Sequence, residues 1–271
     1  MLVLLCALLY STAMLVFWVV KGGFNKRFLY TDNFLLAAGI ALIAVPLLRF
    51  TSVNLWVLVL VIMPFTTLIL FIFLLLFRFF RNPERKISDA PDDIVSPADG
   101  RIIYIKELET NQVPVSVKKL RMARIDEITK TDILQQPCYL VGIAMTLFDV
   151  HMNRSPLAGK VILVKHTPGE YLGLNTPEST IVNERNTIVI ERQDGVKVGV
   201  VQIAARLVRR CIVSVKEGEN VEHGGIIGRI RWGSQADLIM PRNCHILVRE
   251  GEQVYAGSSV IGKLINPTQN S

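Results

Sequence analysis

Three long apolar runs open the chain, and short β-branched runs fill the rest. Leu2 to Val20 is almost unbroken, Phe34 to Leu48 is the second run and Val53 to Phe77 the third. At 1.5 Å per residue, the first and third are long enough to cross a hydrocarbon core of about 30 Å. The second reaches that length only with its flanks. The pattern predicts a membrane-anchoring region over residues 1–80 with two or three transmembrane helices. No positive n-region precedes the first run and no small-residue cleavage site ends it, unlike a cleaved signal peptide. Residues 81–95 are polar and carry prolines, which reads as a linker. Beyond them the runs shorten: 101–105, 139–147, 161–165, 186–191, 197–204, 211–215, 226–230, 238–240 and 245–248. Turn residues separate them at short intervals, which predicts a mostly β domain over 96–271. Helical periodicity is weak outside a short stretch near Gln202 to Arg209.

One glycine-punctuated phrase occurs twice. Val215 to Val221 carries Glu217-Gly218-Glu219, followed by Gly224 and Ile227-Gly228. Val248 to Val254 carries Glu250-Gly251-Glu252, followed by Gly257 and Ile261-Gly262. Each Glu-Gly-Glu supplies a turn in which glycine takes a backbone conformation that other residues resist. Two such units facing each other make a barrel-sandwich-like domain with an internal repeat. Lipoyl and biotinyl carriers use similar phrases but need a lysine at the hairpin tip between their halves. The segment Arg231 to His245 has none.

Charge adds a topology. The chain is 51% hydrophobic with a formal net charge of +7, and its mean hydropathy is +0.39. Lys21, Lys26 and Arg27 follow the first run; Arg78, Arg81, Arg85 and Lys86 follow the third. With three spans, the positive-inside rule places the C-terminal domain at the cytoplasmic side of the cell's inner or plasma membrane. No aromatic-interleaved basic stripe points to nucleic acid. Cys6, Cys138, Cys211 and Cys244 are scattered, which gives neither a zinc site nor a disulfide framework and suits a reducing compartment. The histidines form no metal motif, which disfavours a zinc peptidase.

Between the two phrases lies Trp232-Gly233-Ser234-Gln235. A Gly-Ser bond in a tight β frame can cleave itself: Ser234 Oγ attacks the Gly233 carbonyl, and the amide becomes an ester. Glycine leaves room for the attack and tolerates strain. β-Elimination then frees a chain ending at Gly233, and residue 234 becomes a pyruvoyl group. Its ketone condenses with a substrate amine as a Schiff base and accepts the electrons released when CO2 leaves. A plain turn is the competing reading of any single Gly-Ser, and Gly257-Ser258 inside the second phrase is one.

Other phrases could serve that chemistry. Asp149 and His151 share one face of an extended segment after an apolar run, and histidine moves protons near neutral pH. Ser96-Pro97-Ala98-Asp99-Gly100 is a turn in which Asp99 is a candidate acid or an Asx-turn residue. The loop from His166 suits a substrate rim. Arg185, in Asn183-Glu184-Arg185-Asn186, could hold a phosphate or carboxylate. His223, inside the first phrase, reads as a surface residue.

Together these phrases, with Phe79 to Arg85 and Phe148 to Arg154, resemble the phosphatidylserine decarboxylase proenzymes, particularly the short bacterial and archaeal type. The resemblance runs from Phe79 to the C-terminus. It implies cleavage between Gly233 and Ser234, a large chain of residues 1–233 and a small chain of residues 234–271 that stay associated. It also implies a covalent pyruvoyl group derived from Ser234. Asp99, Asp149 and His151 join Gly233 and Ser234 as catalytic candidates, and Arg154, His166 and Arg185 are candidates for binding the phospholipid substrate. No metal is implied, and a homodimer is compatible. The implied reaction takes phosphatidylserine to phosphatidylethanolamine. An ether-linked serine lipid is the alternative substrate, and an uncleaved membrane-anchored carrier or binding module the alternative class. The chain departs from longer members in having Gln235 after the serine and Arg154 where they carry a second histidine, so their serine-histidine-aspartate arrangement does not transfer whole.

Overall fold

The computed structural model describes residues 1–22, 28–108, 112–116, 121–124, 129, 134, 137–170, 172, 179–204, 211–230 and 234–265. The chain divides into two compact units, Met1–Arg81 with Thr146–Phe148, and Asn82–Met145 with Asp149–Ser271.

The first unit is helical: α1 (Leu2–Gly22), α2 (Phe28–Phe50) and α3 (Leu55–Phe80). All three helices are long and apolar enough to cross a membrane. They are apolar all round, with Leu9, Leu42 and Phe73 on the outside and Ala7, Ile40, Ala44, Leu58 and Met63 packed within. Small residues such as Ala7 and Ala44 let helix backbones approach closely. Within α3, residues Leu58–Ile62 form a π-helical turn just before Pro64. Proline has no N–H to give the preceding turn, and a widened turn absorbs that defect. Several polar side chains meet one another. Asp32 pairs with Arg78, and Asn33 Nδ2 donates to Thr12 Oγ1 at 2.8 Å while Ser11 Oγ donates to Asn33 Oδ1 at 2.5 Å. Phe148 is fully buried in this unit with Leu15, Leu36 and Phe71.

The second unit is built from two copies of one motif. In the first half, β1 is Asp93–Val95, β2 Gly100–Leu108 and β5 Cys138–Met145. A small hairpin, β3 (Gln112–Ser116) and β4 (Arg121–Arg124), lies between β2 and β5. The second half follows: β6 (Met152–Arg154), β7 (Gly159–Thr167), β8 (Arg185–Glu191), β9 (Lys197–Ile203), β10 (Cys211–Val213), β11 (Asn220–Val221) and β12 (Ile226–Ile230). The chain then completes the first half with β13 (Ser234–Pro241), β14 (Cys244–Ile246), β15 (Gln253–Val254) and β16 (Val260–Leu264). The halves merge in one eight-stranded sheet, order β11-β7-β8-β9-β13-β5-β2-β15. Each half adds a three-stranded sheet, β1-β16-β14 in one and β6-β12-β10 in the other. The expected β domain with an internal repeat is therefore present, and the repeat is larger than its two Glu-Gly-Glu phrases.

Hydrogen bonds fix the correspondence. Ile102 N–H donates to Glu252 O, and Val161 N–H to Glu219 O. The Glu250 carboxylate takes the Ile105 N–H, and that of Glu217 takes the Val164 N–H. Gly257 N–H reaches Ser96 O, and Gly224 N–H reaches Ser155 O. Thus Ser96-Pro97-Ala98-Asp99-Gly100 corresponds to Ser155-Pro156-Leu157-Ala158-Gly159. Even the register slips match, after Ile102 in β2 and after Val161 in β7.

The main core fills one face of the eight-stranded sheet with Ile102, Ile143, Ile188, Val200, Ala236 and Leu238. The other face carries Leu134, Leu140, Val189, Val201 and Ile239. The stretch expected to hint at helix begins instead as strand, since Gln202 and Ile203 end β9; residues 205–210 lie outside the described residues. Strands β8 and β9 are buried on both faces, which erases the alternation that marks a half-exposed strand.

The turn glycines offer a test. Gly218 and Gly251 sit at φ 87° and 83°, and a β-carbon on either would meet nothing within 4 Å. Gly218→Ala and Gly251→Ala should each cost about 1–2 kcal/mol of backbone strain alone. The two costs should be nearly equal and should add in the double variant, as read from thermal midpoints in detergent.

Candidate active site

The Ser96 to Gly100 turn is shaped by its own serine, whose Oγ donates to Ala98 O at 2.7 Å; Ser155 Oγ does the same to Leu157 O at 2.6 Å. The fold therefore makes this turn twice, yet only one copy carries an acid. Asp99 is buried, whereas its counterpart Ala158 is exposed. The turn does not need the carboxylate.

The surroundings of Asp99 are specific. Arg85 Nη2 donates to both carboxylate oxygens, at 2.9 and 2.7 Å, and the Ala256 N–H donates to Oδ1 at 2.8 Å. The Val150 N–H is a further donor. The Arg85 guanidinium lies over the Tyr255 ring at 5.8 Å. Burial raises the Asp99 carboxyl above its ordinary value, and Arg85 and the two backbone N–H groups pull it back. Arg85 comes from the segment read as a linker. That segment is tied to the β unit through this ion pair and through Ser88, which donates to Asp93 at 2.5 Å.

His151 follows the Val150 that bonds Asp99. Its Nδ1 lies 2.9 Å from Asp149 O. A carbonyl only accepts, so Nδ1 carries the proton in the neutral ring and Nε2 is the basic nitrogen. The side chain is 2% exposed. Burial pulls its pKa down to about 4, with the Asp149 carbonyl opposing, so His151 is neutral at pH 7. Asp149 is itself buried, and Gln253 Nε2 donates to its Oδ1 at 3.2 Å.

Ser234 reaches the same end of the sheet by register. In the second half, β8 turns back into β9 through residues 192–196. In the first half no such turn exists: Met145 ends β5, its partner Ser234 starts β13, and the whole second half runs between them. The departing chain passes Asp149 and His151. The returning chain passes Ile230, whose N–H donates to His151 O at 3.1 Å. Ile230 and Ser234 are four Cα steps of about 3.8 Å apart along the chain, which bounds their separation at ~15 Å. Gly233 lies outside the described residues.

The substrate-binding candidates take different positions. Arg154 is half-buried; Nη1 donates to Gly224 O and Nη2 to Asn82 Oδ1, both at 2.9 Å, and Arg85 and Asp99 both act on its charge. His166 is exposed, and its Nδ1 lies 2.8 Å from Asn186 Oδ1. From there a polar chain crosses the sheet: Asn186 Nδ2 donates to Gln202 Oε1 at 3.1 Å, Gln202 Nε2 to Asn153 Oδ1 at 2.9 Å, and Asn153 Nδ2 to Pro97 O at 3.2 Å. It connects the expected rim to the Asp99 turn. Arg185 is fully enclosed, with Nε donating to Asn183 O at 3.0 Å, and its charge acts on Asp237, Tyr104 and Cys211. His223 is half-buried rather than a surface residue. Sequence reasoning assigned no role in the site to Arg85, Asn153, Asn186 or Gln202. Of these, Arg85 and Asn153 had a signal, since they lie in the Phe79 to Arg85 and Phe148 to Arg154 phrases.

Comparison with known proteins shows the family. Residues 72–262 match the family described as phosphatidylserine decarboxylase. The phosphatidylserine decarboxylase proenzyme of Syntrophus aciditrophicus is 39% identical over 184 residues, covering 68% of this chain and 77% of the relative. A protein of Methanocaldococcus jannaschii, provisionally named an archaetidylserine decarboxylase proenzyme, is 40% identical over 190 residues, covering 69% of this chain and 90% of the relative. A protein of the same provisional name from Methanothermobacter thermautotrophicus is also 40% identical, with 70% and 80% covered. The matched span holds the buried Asp99 turn, His151 and the start of β13, and the chain belongs to the phosphatidylserine decarboxylase family.

Proposed function

We propose that this chain is a membrane-bound, self-processing decarboxylase that converts phosphatidylserine to phosphatidylethanolamine at the cytoplasmic face. The observation that carries the reading is the broken symmetry of the Ser96 and Ser155 turns. A buried, arginine-bound carboxylate stands in one copy only, next to a neutral buried histidine and in the half whose strand starts at Ser234.

In self-cleavage, Ser234 Oγ adds to the Gly233 carbonyl carbon and the Gly233–Ser234 C–N bond breaks, leaving an ester and a free amine on residue 234. Loss of the Ser234 Cα proton to a base expels the Gly233 carboxylate from Cβ. Water then releases ammonia and leaves a ketone. The residues present suit such a group: a fixed anion at Asp99 takes the Val150 N–H, and the proton carrier His151 is bonded through its backbone to Ile230, four residues before Ser234. The pyruvoyl supplies a carbonyl that takes up the serine amine and draws off the electrons left when CO2 departs. His151 takes up a proton at Nε2 and passes it to the carbon that has lost CO2; its low pKa makes the protonated ring a strong donor. Arg154 and His166, both reachable from solvent, are assigned to the phosphate and carboxylate of the headgroup. Arg185 is enclosed and donates to Asn183 O, so it is not assigned to the headgroup.

The archaeal relatives support a second substrate, an ether-linked serine lipid. Both lipids present the same phosphoserine headgroup. CO2 release from ester- and ether-linked serine lipids in matched mixed micelles separates them. A preference for the ester lipid is expected, and turnover of the ether lipid alone would reverse the assignment.

Purified wild-type protein should give two masses, residues 1–233 and 234–271, the smaller lacking a free N-terminal amine. Ser234→Ala should give one full-length mass and no CO2 release. A single full-length chain in both samples would favour an uncleaved binding module.

His151→Gln should lower turnover per cleaved chain by about 10²–10⁴-fold. It should also flatten part of the pH–stability curve. The folded pKa of about 4 lies below the ordinary value of about 6.5. The stability contributed by neutral His151 is therefore complete above pH 6.5 and is lost as pH falls toward 4. If thermal midpoints of wild type and His151→Gln run parallel through that window, His151 is not held neutral by the fold.

A further inference from the structure

We infer that Tyr104, Gln235 and Asp237 form a buried clamp that positions Ser234 for self-cleavage. The inference rests on the self-processing proposed above.

The clamp is built by register. Tyr104, Gly142 and Asp237 stand side by side on β2, β5 and β13. A β-carbon on Gly142 would lie 2.4 Å from Tyr104 Cζ, so glycine alone lets the ring lie across the sheet. The Tyr104 hydroxyl then donates to Asp237 Oδ1 at 2.8 Å. Gln235 Nε2 donates to the Tyr104 hydroxyl at 2.7 Å and to Asp237 Oδ1 at 2.6 Å. Gln235 and Asp237 are 1% and 0% exposed.

The fold does not require this group. Counted from the matched registers, Tyr104 corresponds to Leu163, Gly142 to Val189, Asp237 to Gly199 and Gln235 to Lys197. There the sheet is closed by apolar contacts, with Leu134 packed over Gly199. Burying a carboxylate is costly, and burial pushes Asp237 up to about 6 against the pull of Gln235, Tyr104, Arg185 and Lys106. The cost is met only in the half whose strand begins at Ser234.

Gln235 gives that cost a use. It follows Ser234 directly, and its backbone pairs with both Ile203 and Ala144. Two side-chain hydrogen bonds added to two strand partners fix the peptide that joins residues 234 and 235. The backbone on the C-terminal side of the reacting serine is then held. Intramolecular attack depends steeply on such placement; about 1 Å of error costs up to ~10²-fold.

The test follows the small chain, residues 234–271, by intact mass during synthesis into lipid nanodiscs, with thermal midpoints of the uncut chains. Gln235→Leu should slow its appearance by about 10–100-fold. The swap Gln235→Glu with Asp237→Asn restores donor and acceptor at the same lengths and should recover most of the rate. Gly199→Ala is the control for instability, since its β-carbon would press on Leu134 at 2.5 Å in the other half; it should lower the midpoint and leave cleavage unchanged. Wild-type cleavage in Gln235→Leu, or equal slowing in Gly199→Ala at a matched midpoint, would overturn the clamp while leaving self-processing intact. An uncut wild-type chain would instead remove the self-processing on which the clamp rests.

Discussion

Strand β13 pairs with β5 from Ser234↔Met145 to Pro241↔Cys138, and the whole second half of the β unit is threaded between those two strands. This pairing is the constraint on which the rest of the site depends. In the second half the equivalent strands join by a short turn. Replacing that turn by an entire half-domain leaves two chain crossings at one end of the sheet. Asp149 and His151 lie on the outward crossing and Ser234 ends the return. The two crossings, far apart in sequence, are hydrogen-bonded to each other where the Ile230 N–H meets His151 O.

Near-symmetry makes the chemistry stand out. Where the halves agree, as in the serine-shaped turns and the Glu-Gly-Glu hairpins, the residues serve the backbone. Where they differ, one half carries apolar or exposed residues and the other carries buried charge. Asp99 against Ala158 is one such difference, and Tyr104 with Asp237 against Leu163 with Gly199 is another. A buried ion pair such as Arg85–Asp99 contributes little net stability, because desolvation offsets most of the attraction. Its presence in one half only is better explained by function than by folding. The helical unit follows a related rule, since Asp32–Arg78 and the Ser11–Asn33–Thr12 group give one another the partners that hydrocarbon cannot.

Much of this was legible in the chain. The apolar runs gave three helices of spanning length, because a segment uniform in hydropathy declares its own solvent. The short β-branched runs became strands, and the repeated Glu-Gly-Glu phrases became matched turns. The ends of β9 were less legible, because a strand buried on both faces has no alternation to display. The correspondence of Ser96–Gly100 with Ser155–Gly159 was also in plain sight, but it emerges only when hydrogen bonds show both turns making the same contacts.

The sequence by itself determined which groups are available: the Gly233-Ser234 bond, one acid in the Asp99 turn, a histidine after Asp149, and an apolar anchor. Local pattern suffices for these because each is a property of a few adjacent residues. Only the tertiary structure decided which groups meet. That Arg85 binds Asp99, that His151 is held neutral, that Arg185 is enclosed, and that Gly142 admits the Tyr104 ring all depend on contacts between segments distant in the chain. Where those segments are strands, register is set by the summed burial of a whole sheet face, and a one-residue slip would send side chains such as Tyr104, Arg185 and Asp237 to the opposite side.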